Sequence, residues 1–204
     1  MMDNELDSSL EISLPQHHSV THLHIFSCLN TLFSDELKAG AGPFRILDIG
    51  CGNGRLMAYL HTAMCVAAPH RHVEIYGFDV GEQGFGEGDE FLRCLETLNA
   101  ASCDIPWAER LSCISEDVEW PYENGFFNAA VSNQVMEHVH DIDLFLREMK
   151  RVLRPEGASV HLFPLKETIV EAHVKVPYAH HILCLLYTSP SPRDATLSRM
   201  PSSA

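Results

Sequence analysis

The sequence has no apolar run of the roughly twenty residues needed to cross a bilayer as a helix. It has no basic excess either. Fourteen Lys and Arg stand against 28 Asp and Glu, a formal charge of −14. Phosphate backbones and anionic membrane surfaces both require positive charge, so nucleic acid and acidic lipid are disfavoured as partners. The opening Met1-Met2-Asp3-Asn4-Glu5 is acidic and lacks the basic region of a secretory signal. No C-x-x-C pair occurs among the seven cysteines, Cys28, Cys51, Cys65, Cys94, Cys103, Cys113 and Cys184. An odd number scattered through apolar segments reads as reduced core thiols, and hence as a cytoplasmic protein. The thirteen histidines form no metal-ligand pattern. His18 and His22 lie four apart without a carboxylate partner, and His17-His18, His70/His72 and His180-His181 are isolated. The expectation is a chain with no metal.

What is present is organised around Phe44-Arg45-Ile46-Leu47-Asp48-Ile49-Gly50-Cys51-Gly52-Asn53-Gly54-Arg55. Ile46, Leu47 and Ile49 form a short apolar run of the kind found in a buried strand. Gly50, Gly52 and Gly54 make a tight turn, and Arg55-Leu56-Met57-Ala58-Tyr59-Leu60 opens a helix. Strand, glycine turn and helix are the first unit of a doubly wound nucleotide-binding fold. The helix start offers unpaired N–H groups to a ligand seated in the turn. The spacing is G-x-G-x-G, so the third glycine of the dinucleotide fingerprint G-x-G-x-x-G is missing. Asp48, two residues before the first glycine, would repel a pyrophosphate and suits a ligand carrying a positive group.

At these residues the chain resembles the class I S-adenosylmethionine (SAM)-dependent methyltransferases, in particular a methyltransferase type 11-like domain. The cofactor's methionine half carries an ammonium, a sulfonium and a carboxylate. The resemblance implies a site built from Asp48, Gly50, Cys51, Gly52, Asn53 and Gly54, with Asp48 facing the ammonium and the helix start facing the carboxylate.

The remaining segments follow in the order the resemblance requires. Apolar positions Leu23, Phe26, Leu29, Leu32 and Phe33 predict a helix over about 20–38, stopped by Gly40, Gly42 and Pro43. It either covers the cofactor mouth or packs on the sheet. The helix after the glycine turn runs to about Val66. A second strand over 72–79 ends in Asp79, with Val80 beside it, where an acid accepts hydrogen bonds from ribose hydroxyls. Residues 81–88 are glycine-rich, and Asp89 is placed to cap a helix bearing Phe91, Leu95 and Leu98. A third strand, 110–114, leads into Ser115-Glu116-Asp117. By resemblance, Glu116 takes the adenine amino group and Asp117 offers its backbone N–H to the ring. The fourth strand, 126–133, has Phe127-Asn128 where the family usually has Phe-Asp, a change expected to touch strand packing. Asn133 opens the segment that resembles the cofactor's methionine end. His138, with His140 behind it, is the candidate base if the acceptor is a hydroxyl. Asp141 caps an amphipathic helix whose face carries Ile142, Phe145, Leu146, Met149, Val152 and Leu153. Arg154-Pro155-Glu156-Gly157 ends it before a fifth strand, 158–163.

The expected protein is therefore α/β, with a doubly wound, Rossmann-like, mostly parallel sheet. Residues 1–43 form an N-terminal segment and helix, and residues 44–187 form the SAM-binding domain, with 171–178 as pocket or lid material. Residues 188–204, rich in Ser, Pro and Arg, read as a disordered and non-native tail. The family's two last strands are not recognisable in this sequence, which reads as truncated, and the sheet is expected to stop at the fifth strand. The implied function is SN2 transfer of the SAM methyl group to a small-molecule or lipid-like acceptor. Two alternatives stand beside it, a catalytically silent SAM-binding protein and an NAD(P)-dependent oxidoreductase.

Overall fold

A computed structural model describes residues 19–81, 85, 89–116 and 118–164. The expectations for residues 1–17, for most of the 81–88 loop, for Asp117, for 171–178, for Cys184 and for the 188–204 tail fall outside the described residues.

Five strands form one parallel sheet in the order β3-β2-β1-β4-β5. They are β1 (Phe44–Ile49), β2 (Val73–Val80), β3 (Leu111–Ile114), β4 (Phe127–Asn133) and β5 (Leu153–Leu162). The chain builds outward from β1 to β3, then returns to the other side of β1 with β4. This reversal opens a crevice at the carboxyl ends of β1 and β4, where doubly wound folds bind ligands. Among the described residues β5 forms the outer edge.

Side chains of a strand alternate between faces, and the two faces of this sheet are covered differently. Ile46, Ile75, Ala129 and Val131 lie under three helices, α1 (Val20–Leu32), α3 (Arg55–Ala67) and α4 (Glu90–Ala101). Leu47, Ile49, Phe78, Phe127 and Ala130 lie under α6 (Ile142–Val152) and an aromatic loop. In that loop Trp120 stands 4.9 Å from Phe78 and 5.4 Å from Phe145, ring centre to ring centre. Tyr122 stands 4.9 Å from Phe127. The aromatic rings thus cover sheet area that helices cover on the opposite face. Arg151 pins the loop by donating to the carbonyls of Trp120 and Tyr122 at 2.9 and 2.6 Å. Glu148 accepts the Trp120 backbone N–H at 2.8 Å.

That network rotates α6. Glu148 is buried while Ile142 and Leu146 are 42% and 44% exposed, so the face runs through Phe145, Glu148 and Val152 rather than through every expected apolar residue. Asp141 caps the helix as expected, accepting the Leu144 N–H at 2.9 Å. The N-terminal helix also differs from expectation. It breaks at Phe33 into α1 and a short α2 (Ser34–Ala39), and its inner face is His22, Ile25, Phe26 and Leu29, with Leu32 58% exposed. Asp89 occupies the N-cap position of α4 without making a capping bond. The fifth strand starts at Leu153, which already pairs with Phe127; residues 154–157 are a bulge before Ala158 pairs with Ala129.

Asn128 has the packing role expected of it. Its side chain accepts the Arg45 backbone N–H at 2.8 Å and donates to Glu36 at 2.6 Å. Glu36 also meets Arg154 and Arg71, which ties α2 to the sheet's lower end. Among the described residues, the core thiols are Cys51 and Cys94; Cys65, Cys103 and Cys113 are exposed and Cys28 is half-buried. Cys65 and Cys113 occupy solvent-facing positions of α3 and β3, and Cys103 lies in the turn after α4. Among the described residues, no helix is long and apolar enough to cross a membrane.

Candidate functional site

The glycine turn is held in a shape that other residues would resist. Gly50 and Gly54 have φ of 67° and 74°, in the left-handed region. A Cβ on Gly50 would lie 2.6 Å from Val135, and one on Gly54 would lie 2.9 Å from the Cys94 sulfur. Gly52 shares the left-handed backbone, with φ 49°, but not the close packing. A Cβ there would meet nothing nearer than the Asp79 carboxylate, 4.0 Å away. The turn is thus packed at its two ends and open at its centre.

Two pockets meet at Gly50. The first is lined by Asp79, Val80, Glu116, His138 and Gly50, with walls from Phe78, Ile114, Trp120 and Phe145. The second is lined by Asp48, Gly50, Cys51, Gly52, Asn53 and Asn133, joined by Ser19, His22 and Arg55. The expected site residues therefore fall into one crevice with two halves. Gly54 borders neither pocket; it is the N-cap of α3 and packs on α4. His138 lies in the half that holds Asp79 and Glu116, within a single turn of 3-10 helix, Met136–His138. Of the two alternatives for the N-terminal helix, the structure shows packing on the sheet, with the helix start, at Ser19 and His22, beside the second pocket.

Asp48 is the electrostatic centre of the second pocket. It is 1% exposed, and its Oδ2 has no hydrogen-bond partner among the described residues. Burial pushes its carboxyl well above the usual range, and the nearby Asp79 carboxylate adds to this. Asn133 Oδ1 is likewise buried without a partner. Two orphaned acceptors on residues that line one pocket suit a donor that carries positive charge. Asp79 is tied to the turn, accepting the Gly52 N–H at 2.7 Å and the Val80 N–H at 2.8 Å. Burial nonetheless raises its pKa, against the pull of those two bonds. Each oxygen keeps a free lone pair, so a hydroxyl ligand remains possible. In the first pocket Glu116 Oε2 lies 2.7 Å from His140 Nδ1.

Several lining residues were not expected from sequence. His22 sits four residues before Phe26 and three before Ile25, so its place on the inner face of α1 was readable from helical spacing. Gln134, at φ 61°, and Val135 carried no comparable signal. Their backbone shape is set where β4 leaves the sheet.

The ammonium of S-adenosylmethionine fits the orphaned Asp48 and Asn133 acceptors, and the open face of Gly52 leaves the backbone accessible. The fold and the paired pockets define a doubly wound nucleoside-binding domain. Residues 47–161 match the family model described as a methyltransferase domain, and the chain belongs to that family. Over 130 residues it is 26% identical to a malonyl-[acyl-carrier protein] O-methyltransferase of Halorhodospira halophila, covering 63% of this chain and 38% of that protein. Over 148 residues it is 24% identical to a ubiquinone biosynthesis O-methyltransferase of Acinetobacter baumannii, covering 72% and 54%. A solved SAM-dependent methyltransferase from Aquifex aeolicus is similar at 18% identity and a TM-score of 0.47, covering 83% and 81%. The chain spans 38% and 54% of the two curated relatives' lengths.

The buried Asp48 gives a stability test. A carboxyl whose folded pKa is raised favours folding most at low pH, and that advantage is lost as pH rises through the raised value. Asp48→Asn removes the charge, so in cofactor-free protein it should raise stability at neutral pH by about 1 kcal/mol or more. Urea denaturation across pH checks this. Wild type should lose stability relative to the variant as pH increases.

Proposed function

We propose that the chain binds S-adenosylmethionine across the two pockets and transfers its methyl group to a small-molecule or lipid-like acceptor. Family membership supports the reaction class, and the partnerless Asp48 carboxylate is the observation that carries the cofactor reading. Asp48 and Asn133 would hold the amino group of the cofactor, with the Gly52 and Asn53 backbone beside its methionine half. Asp79 would accept from the ribose hydroxyls, next to the Val80 backbone. Glu116 would accept from the adenine amino group, with Asp117 following it. Bound there, the cofactor supplies a methyl group already activated by its sulfonium.

The residues of the chain then have three tasks: alignment, exclusion of water and, for a hydroxyl acceptor, removal of a proton. His22 and Ser19 border the methionine half from α1 and are positioned to meet an acceptor. His138 is the proposed base. The relatives' names refer to a malonyl-[acyl-carrier protein] and to ubiquinone biosynthesis, which supports a small-molecule or lipid-like acceptor. The absence of C-x-x-C pairs and the −14 charge support a reducing compartment and an acceptor other than nucleic acid.

Calorimetry with S-adenosylmethionine, S-adenosylhomocysteine and NAD tests the reading. The first two should bind and NAD should not. NAD binding without binding of the other two would overturn it in favour of an oxidoreductase. Binding with no turnover on an acceptor panel would favour a silent SAM-binding protein.

His138→Ala separates the candidate base from a cofactor contact. Turnover should fall more than cofactor affinity, by roughly the hundredfold typical of a lost acid–base group. Equal losses would assign His138 to the cofactor site instead.

A further inference from the structure

His140, which the sequence places behind the candidate base His138, has a different partner in the structure. It stands in the loop that enters α6, while Glu116 stands in the loop that leaves β3. Both border the first pocket, and the 2.7 Å contact between His140 Nδ1 and Glu116 Oε2 joins the two loops there. A carboxylate can only accept, so Nδ1 carries the proton and donates it. Glu116 Oε1 has no hydrogen-bond partner among the described residues.

The location matters because adjacent strands are about 4.8 Å apart. From Gly50 at the end of β1, Asp79 is one strand away and the β3 loop is two, or roughly 10 Å. That is the order of methionine, ribose and base along an extended nucleoside cofactor. Around this end of the pocket the walls are apolar, from Phe78, Ile114, Val118 and Trp120. An apolar slot holds any purine by its faces. Only a fixed polar group at its edge distinguishes one purine from another. Glu116 alone would be a poor reader, since its side chain is 29% exposed and has several rotamers.

We propose that His140 is the positioning residue that makes this pocket selective for a 6-amino purine, by holding Glu116 with one oxygen engaged and the other presented to the base edge. The inference rests on the adenine role given to Glu116 above. Held this way, the carboxylate accepts from an exocyclic N–H and repels an exocyclic carbonyl oxygen. Hypoxanthine is the direct comparison, because it replaces the 6-amino group with an oxo group and keeps the ring stack.

The experiment measures binding of S-adenosylhomocysteine and S-inosylhomocysteine to the full chain by calorimetry. Wild type, His140→Ala, His140→Gln, Glu116→Ala and the double alanine variant are compared after a thermal-melt check of folding. Wild type should prefer the adenosyl ligand by about tenfold or more, the size of one hydrogen bond to a charged acceptor. Glu116→Ala should abolish the preference. His140→Ala should cut it several-fold, mainly by weakening the adenosyl ligand. His140→Gln keeps an N–H donor and should restore part of it. The double variant should match Glu116→Ala. If His140→Ala weakens both ligands equally, or leaves the preference intact, the positioning role is wrong while Glu116 keeps its own. A preference that survives Glu116→Ala would overturn the adenine role of Glu116 and this inference with it. Binding of neither ligand by wild type would overturn the cofactor reading itself.

Discussion

A carboxylate buried without a partner is the constraint around which this domain is built. Asp48 lies in the central strand, on the face whose other residues are apolar, and its Oδ2 has no partner among the described residues. A hydrophobic residue there would pack the sheet better. The cost is tolerable because the strand ends at Ile49 and the chain turns away at once through Gly50. Asp48 is thus deep enough to be desolvated and near enough to the crevice to meet a ligand. Burial and the neighbouring Asp79 carboxylate both favour its protonated form in the cofactor-free protein. A cationic ligand relieves both effects together, which couples binding of the ligand to the comfort of the core.

Other features serve this arrangement. Gly50 and Gly54 fix the ends of the turn against Val135 and Cys94, leaving Gly52 open. Asp79 accepts the Gly52 N–H, so the second strand braces the first-strand turn. Arg151 and Glu148 hold the aromatic loop that forms one wall of the first pocket. His140 and Glu116 join the loops at its outer end. The site is therefore assembled from four loops, those that follow β1, β2, β3 and β4.

Much of this was legible in the sequence, because local pattern and global fold agree in the first half of the domain. The β1–turn–α3 unit is written in the twelve residues from Phe44 to Arg55, and Asp48 and Asp79 are recognisable by their positions at strand ends. The order of the strands followed from the motifs as a series. What was not legible depended on partners distant in sequence. Glu148 is buried because Trp120 and Arg151 need it, so apolar spacing alone places Ile142 and Leu146 inward when they face out. Leu153 joins the sheet early because Phe127 is there to pair with it, a contact that no local signal announces. Pairing of His140 with Glu116 spans 24 residues and likewise has no local signature. His22 is the opposite case, since its helical spacing with Ile25, Phe26 and Leu29 was there to be read.

The central claim is that Asp48, as a carboxylate, receives the cofactor's ammonium. Its most direct test is the pH dependence of S-adenosylhomocysteine binding, measured by calorimetry on wild type and Asp48→Asn from acid to neutral pH. The ligand's amino group stays protonated over most of that range. Because burial raises the Asp48 pKa, affinity in wild type should increase as pH rises and the carboxyl ionises. Asp48→Asn should bind more weakly at the upper end, and its affinity should be nearly flat with pH. A variant that binds as tightly as wild type, or that keeps the same pH dependence, would contradict the account.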